Sequence, residues 1–373
     1  MSESLQILRV STDTYPEILG GGALHAHEMS KLQAERGHDV TLLTSDHGDH
    51  NAPRREERAG YTVRRYEELA RPFGSSITLR MVPNLWRLTS NNDIVHAHSH
   101  LYFSSNVAAV LRHFNGTPLL VTNHGLYSQT APEIIQDAFM RTVAKFTFNS
   151  VDRVLCYTKT DHDRLRNRSI TTPISVIHNG IDCETFTPEA GEDRKSRVLF
   201  VGRFNKSKGV HRLVRAFAGL TADISDVGLT LVGDGPLENH LKESVRRYGI
   251  DDRVSFEGRL PNEALPAIYA ESTVFALPSD AEGLPRTVLE SLACETPVVT
   301  SALPQLEPLV ESVGETVPKK TVTELETALR KLLTNQQRRR ELGKRGRERV
   351  VENYSWAETV EETTEQYYEL IDR

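Results

Sequence analysis

The stretch from Pro278 to Thr300, Pro-Ser-Asp-Ala-Glu-Gly-Leu-Pro-Arg-Thr-Val-Leu-Glu-Ser-Leu-Ala-Cys-Glu-Thr-Pro-Val-Val-Thr, sets the frame for the whole chain. A short apolar run, Thr273 to Leu277, precedes it and reads as a buried strand, and Val298-Val299 opens another. Between them lies a loop with Gly283 and Pro285, then a helical pattern in which Val288, Leu289, Leu292 and Ala293 share one side. Pro285 suits the first helical turn, where a missing N–H costs nothing. The helix is therefore expected to begin near Arg286, with unpaired N–H groups turned towards the loop, an arrangement that favours anions. Glu282 and Glu290 stand eight residues apart, one in the loop and one on the helix. A fully helical stretch of that length would separate them by about 12 Å. That exceeds the roughly 5–9.5 Å of a glycosidase carboxylate pair. The spacing suits gripping two ends of one long ligand, with a phosphate between. A surface loop and a solvated helix account equally well for the two glutamates taken alone.

Working outward, 373 residues suit two domains better than one core. A hydrophobic share of 38%, a charged share of 26% and a formal charge of −6 describe an ordinary water-exposed protein and argue against general nucleic-acid binding. No apolar run approaches the ~20 residues needed to cross a bilayer. The opening Met-Ser-Glu-Ser lacks a basic or apolar signal region, so a cytoplasmic location is expected. Three widely spaced cysteines, Cys156, Cys183 and Cys294, fit reduced thiols.

The N-terminal half begins strand Leu5–Val10, glycines 20–22, helix Ala23–Arg36 with Leu24, Met29 and Leu32 inward, stop Gly37, and strand Val40–Thr44. This is a βαβ opening with glycines where α/β sheets bind phosphates. The glycines do not match the dinucleotide fingerprint and no acid closes the second strand, which disfavours an oxidoreductase. The polar stretch Thr185–Arg197 marks the expected boundary, after which the β/α pattern restarts at Val198 and helices fill the chain beyond Val317. The charged run Gln336–Glu348 reads as a solvated helix. Two successive β/α blocks imply an α/β protein of two parallel-sheet domains with a cleft between them.

Gly202-Arg-Phe-Asn-Lys-Ser-Lys-Gly209 follows the first strand of the second block. Arg203 offers a planar fork and Lys208 a point charge, a match for a diphosphate at a sheet edge. Set beside the glutamate loop, it reads as part of a site. His96, His98 and His100 alternate and share one strand face, but no carboxylate stands nearby at ligand spacing, so histidines beside a polar cleft are expected instead of a metal. His124, between a strand and Gly125, is a candidate for touching substrate; a buried turn histidine is the equal alternative. Arg71–Leu88 carries Arg80, Trp86 and Arg87 and could meet a membrane surface, although Pro83 favours an ordinary packed segment.

Over nearly its whole length the chain resembles the retaining glycosyltransferases of family four. The marks are Glu282 and Glu290 in a glutamate–seven–glutamate motif, Gly202–Gly209, Gly233-Asp-Gly-Pro236, His178-Asn-Gly-Ile-Asp182, Gly20-Gly21 with His25, Thr122-Asn-His-Gly125, and Tyr354-Ser-Trp356. The resemblance implies the GT-B fold: two Rossmann-like domains, 1–190 on the acceptor side and 191–355 for the nucleotide sugar, with helix 356–373 returning to the first. It implies transfer of a sugar from a nucleotide-diphosphate sugar to a hydroxyl acceptor, such as a lipid-linked or cell-surface glycan precursor, with retention. It implies no cofactor and no metal. Glu290 would hold the donor ribose and Glu282 the sugar. Arg203 and Lys208 would neutralise the diphosphate with N–H groups at Gly21 and near Thr287. His124 would bound the sugar pocket, and the base would lie by Arg259 and Leu260. Gly283, Leu284 and Arg286 complete the donor-binding motif. An epimerase of the same fold or a non-catalytic binding protein are the alternatives. The chain departs from the family pattern at Glu295, where glycine is usual, and at Ser301–Glu307, which lacks paired glycines.

Overall fold

Short apolar runs become parallel strands, because a sheet covered on both faces buries both sides of each strand. A computed structural model describes residues 3–126, 131–188 and 196–372. They form two α/β units, Met1–Gly180 together with Trp356–Arg373, and Ile181–Ser355. The boundary expected at 190/191 lies outside the described residues.

The first unit contains β1 (Gln6–Val10), β2 (Asp39–Ser45), β3 (Arg55–Arg58), β4 (Tyr61–Tyr66), β5 (Ile94–His98), β6 (Leu119–Asn123), β7 (Arg153–Cys156) and β8 (Ile174–Val176). Their order is β3-β4-β2-β1-β5-β6-β7-β8, and only β3, at the edge, runs antiparallel to its neighbour. One face of the sheet buries Leu8, Val10, Val95 and Val121 against Ala108, Ala109 and Phe148. The other buries Ile7, Leu42, Ile94 and Leu120 beneath Tyr367 and Leu370 of the helix Trp356–Ile371. Met29, Trp356 and Val360 form a small satellite cluster. Gly180 lies so close to Trp356 that an added Cβ would sit 2.6 Å from the indole.

The second unit contains β9 (Arg197–Val201), β10 (Gly228–Val232), β11 (Val254–Gly258), β12 (Val274–Leu277), β13 (Val298–Ser301) and β14 (Gly314–Val317). All are parallel, in the order β11-β10-β9-β12-β13-β14. The chain leaves β9, next to the centre, for β10 on one side and later returns for β12 on the other. That reversal makes a switch point between β9 and β12, where open α/β sheets bind ligands.

Several expectations need adjusting. The helix after β1 runs Gly21–Glu35, so Gly21 and Gly22 lie inside its first turn. Leu32 is only half-buried, and the inward face instead carries His25, Ser30 and Gln33 among its residues. Pro83 does not stop the helix Met81–Thr89, because it falls in the first turn, where no donor is needed. The helix Gln336–Asn353 is solvated on most of its surface, but Gly343 and Gly346 are buried against the end of helix Arg286–Ala293. A Cβ at Gly343 would lie 2.2 Å from the Glu295 carbonyl oxygen, so only glycine permits this approach.

Candidate functional site

At the switch point of the second unit, β9 ends just before Gly202 and β12 just before Pro278. Gly202, Gly233 and Gly235 let neighbouring turns touch by their backbones, a Cβ on Gly233 falling 2.1 Å from the Gly202 oxygen. Asn205 accepts a bond from the Lys208 N–H at 2.9 Å and fixes the short turn Lys206–Lys208. Gly209 follows with φ +69°, against the Pro278 carbonyl. Arg212, one turn into the helix Val210–Leu220, donates to Pro278 O and to an Asp280 carboxylate oxygen, each at 2.7 Å. The Asp280 N–H donates to Ser207 O at 2.7 Å. Gln305 donates to the Glu282 carbonyl at 2.6 Å. The glutamate loop is thus fastened from several sides, and Lys208 Nζ reaches both Glu282 carboxylate oxygens, at 2.6 and 2.8 Å. The two side chains are only 16% and 7% exposed, so the pair is largely shielded from solvent.

Pro285 caps the helix Arg286–Ala293, which begins where the sequence places it. Glu290, on its second turn, is buried; it accepts from the Tyr269 hydroxyl at 2.9 Å and lies 3.5 Å from Arg286 Nε. Burial pushes the Glu290 carboxyl above its ordinary range, against the pull of Arg286 and the Tyr269 hydrogen bond. Burial and the facing carboxylate likewise raise the Tyr269 phenol. The two glutamates therefore differ in kind. Glu282 holds a lysine at the rim, and Glu290 sits under the helix start.

The other expected residues scatter more widely. Arg203 is exposed and makes no ion pair among the described residues. Arg259 is exposed and bonds Asp234 at 2.7 Å, and Leu260 is half-buried. Gly283 and Leu284 lie in the loop, and Thr287 lies in the helix's first turn. Asn205, Arg212, Tyr269 and Gln305, which no motif singled out, position the charged groups. Only the Asn205 and Arg212 neighbourhood carried a visible signal, namely its place after a parallel strand.

In the first unit Gly21 opens the helix after β1, and His124 follows β6. His124 Nδ1 lies 2.7 Å from the Tyr157 hydroxyl and its Nε2 lies 2.9 Å from His98 Nδ1. His96 bonds Tyr367 and Thr122, at 2.5 and 2.7 Å. Burial holds His124 down to about 4 and His96 and His98 well below the usual imidazole range. A separate polar group, missed in the sequence, gathers Arg71 on Asp13 at 2.5 Å and on His47 at 2.8 Å, with Tyr102 donating to Asp13 at 3.2 Å.

Two family models match the chain: "Glycosyltransferase Family 4" over residues 19–185 and "Glycosyl transferases group 1" over residues 184–349. Glycogen synthase of Mycobacterium tuberculosis is 25% identical over 98% of this chain and 94% of that protein. Among solved structures, sucrose-phosphate synthase from Thermosynechococcus elongatus superposes with a TM-score of 0.85 at 26% identity, over 99% of each chain. HepE of Anabaena, solved in complex with UDP and glucose, superposes with a TM-score of 0.80 at 18% identity, over 98% of this chain and 100% of that one. With two parallel-sheet units and family models matching both halves, the chain belongs to the GT-B glycosyltransferases of the family-four type.

Proposed function

We propose that the protein moves a sugar from a nucleotide-diphosphate sugar to a hydroxyl acceptor with retention of configuration. The observation that carries this reading is the shielded Lys208–Glu282 pair beside buried Glu290 at the sheet switch point. Lys208 releases Glu282 when a diphosphate arrives, because a doubly charged anion competes better for the ammonium than one carboxylate does. Glu282 then accepts from the sugar hydroxyls, and Glu290 accepts from the ribose hydroxyls. Exposed Arg203 and the first-turn N–H groups near Thr287 meet the diphosphate, while the nucleobase lies by Arg259 and Leu260. The parts of Gly21 and His124 in donor binding rest on the family resemblance.

Breaking the sugar–phosphate bond builds negative charge on the departing diphosphate, and preorganised cations and dipoles lower that barrier. A structural neighbour solved with UDP and glucose supports a nucleotide-sugar donor for this fold. The acceptor is a hydroxyl of a glycan, a lipid-linked glycan or a small molecule. No helix of the described residues is long and apolar enough to cross a membrane. A cytoplasmic enzyme with peripheral contact at the inner membrane face accords with exposed Trp86 and Arg87 on helix Met81–Thr89.

The test incubates the full chain with uridine, guanosine and adenosine diphosphate sugars, with and without hydroxyl acceptors. Acceptor-dependent release of nucleoside diphosphate is expected. Isomerisation of the sugar without acceptor, or binding without turnover, would overturn the reading.

A further inference from the structure

A line of hydrogen bonds crosses the interior of the first unit, and its direction follows from one fixed end. Arg9 on β1 is fully buried. Its Nη2 bonds Gln33 Oε1 at 2.5 Å, and its Nη1 lies 3.1 Å from His98 Nε2. Among the described residues Arg9 has no ion pair. A guanidinium has donors only, so His98 Nε2 must accept. An uncharged imidazole carries its one proton on the other nitrogen, so His98 Nδ1 donates to the atom it faces. That atom is His124 Nε2, 2.9 Å away. His124 Nε2 therefore accepts, its proton is on Nδ1, and Nδ1 donates to the Tyr157 hydroxyl oxygen at 2.7 Å. No step leaves a choice once Arg9 is in place.

The surroundings hold the line still. The β1–β5 register sets Arg9 opposite His96, whose ring stacks on His98 at 4.5 Å between centroids. The Gln33 amide that accepts from Arg9 donates onward to Thr364 at 2.9 Å. The His98 and His124 ring centroids lie 5.2 Å apart with their planes at 28°, near the coplanar arrangement an in-plane N–H···N bond needs. Burial disfavours a second proton on either imidazole, which agrees with this order.

We propose that Arg9, acting through His98, is a positioning residue that locks His124 as the Nδ1–H tautomer. Both ring nitrogens of His124 are then occupied within its own unit. His124 meets a ligand with its carbon edge and its backbone, and it neither gives nor takes a proton. The Tyr157 hydroxyl accepts from His124 and keeps its own proton for a further acceptor. Only the ligand-facing consequence rests on the donor-site reading; the tautomer itself does not.

The experiment uses the full chain without ligand, labelled with nitrogen-15 in histidine, and reads two-bond proton–nitrogen correlations at neutral pH. His124→Gln identifies the His124 signals by their loss. The expected pattern shows Nδ1 protonated and Nε2 bare for both His98 and His124. Protonation at Nε2, or at both nitrogens, in His124 would overturn the proposal. A second variant, Tyr157→Phe, removes the far end and leaves Arg9. An unchanged His124 pattern is expected there, and a switch to Nε2–H would assign control to the tyrosine and sink the role of Arg9. Because no sugar donor is present, failure here is distinguishable from failure of the transferase assay.

Discussion

Arg9 in the first unit and Arg286 in the second are both buried guanidiniums, yet their partners differ in kind. Arg9 is surrounded by neutral acceptors, His98, Gln33 and Tyr367. Arg286 faces the Glu290 carboxylate, and nearby Lys208 faces Glu282. Polar order around Arg9 comes from matching donors to acceptors, and around Arg286 and Lys208 from opposed charges. A neutral line of this sort holds one arrangement. A charged pair can be reopened by an incoming anion, which is what a donor site needs.

The largest effect expected from breaking the charged side is on turnover. Lys208→Ala should reduce sugar transfer by about 10²–10³, or about 2.7–4 kcal/mol of barrier, and Glu290→Ala should cripple donor use. Steady-state kinetics with the preferred nucleotide sugar reads both. Near-normal donor affinity and turnover in either variant would refute its assignment.

Acid should separate the units next. His96, His98 and His100 lie below the ordinary value of 6.5 because burial penalises the cation, His100 at about 3. In the folded state they bind fewer protons than in the unfolded chain, so stability falls as pH drops below about 6.5. At pH 5 each such histidine should cost about 2 kcal/mol. Glu290 acts in the opposite sense. Its carboxyl is raised, so the native state binds the extra proton and stability rises as pH falls towards the ordinary value of 4.5. Hydrogen exchange at pH 7 and pH 5 should show protection lost preferentially in β1, β5 and β6. Equal loss in both units would contradict this.

The smallest effect sharpens the contrast by asking where the second unit is strained. Glu295 has φ +55° at the end of helix Arg286–Ala293, a conformation that glycine adopts without penalty. Glu295→Gly should stabilise the ligand-free protein by about 1 kcal/mol, read by denaturant titration. A lower midpoint would mean that the glutamate side chain contributes more than its backbone costs.

Much of this architecture was legible in the residues. Buried parallel strands such as β1 and β12 read as the short apolar runs Leu5–Val10 and Thr273–Leu277, and the helix start at Arg286 followed from Pro285. The hairpin of β3 and β4 did not stand out, because Arg-Glu-Glu-Arg and Tyr-Thr-Val-Arg-Arg-Tyr carry the charges of an edge. Within the candidate site, Glu282, Glu290 and Lys208 stood out through spacing and residue type. Tyr269 and Gln305 were not, since each acts through a contact distant in sequence. The alternating histidines were conspicuous as a group. Their arrangement was hidden because it depends on which residue the register of β1 brings opposite β5.

The helix Trp356–Ile371 belongs to the first unit but is encoded after the whole of the second. A ribosome therefore delivers Leu5, Ile7, Val40 and Ile94 long before the Tyr367 and Leu370 that cover them. Gln33 likewise waits for Thr364. During synthesis part of one sheet face, beyond what helix Gly21–Glu35 covers, stays open while an entire second domain emerges. Nascent chains halted before residue 356 should consequently be the species that chaperones hold and proteases cut.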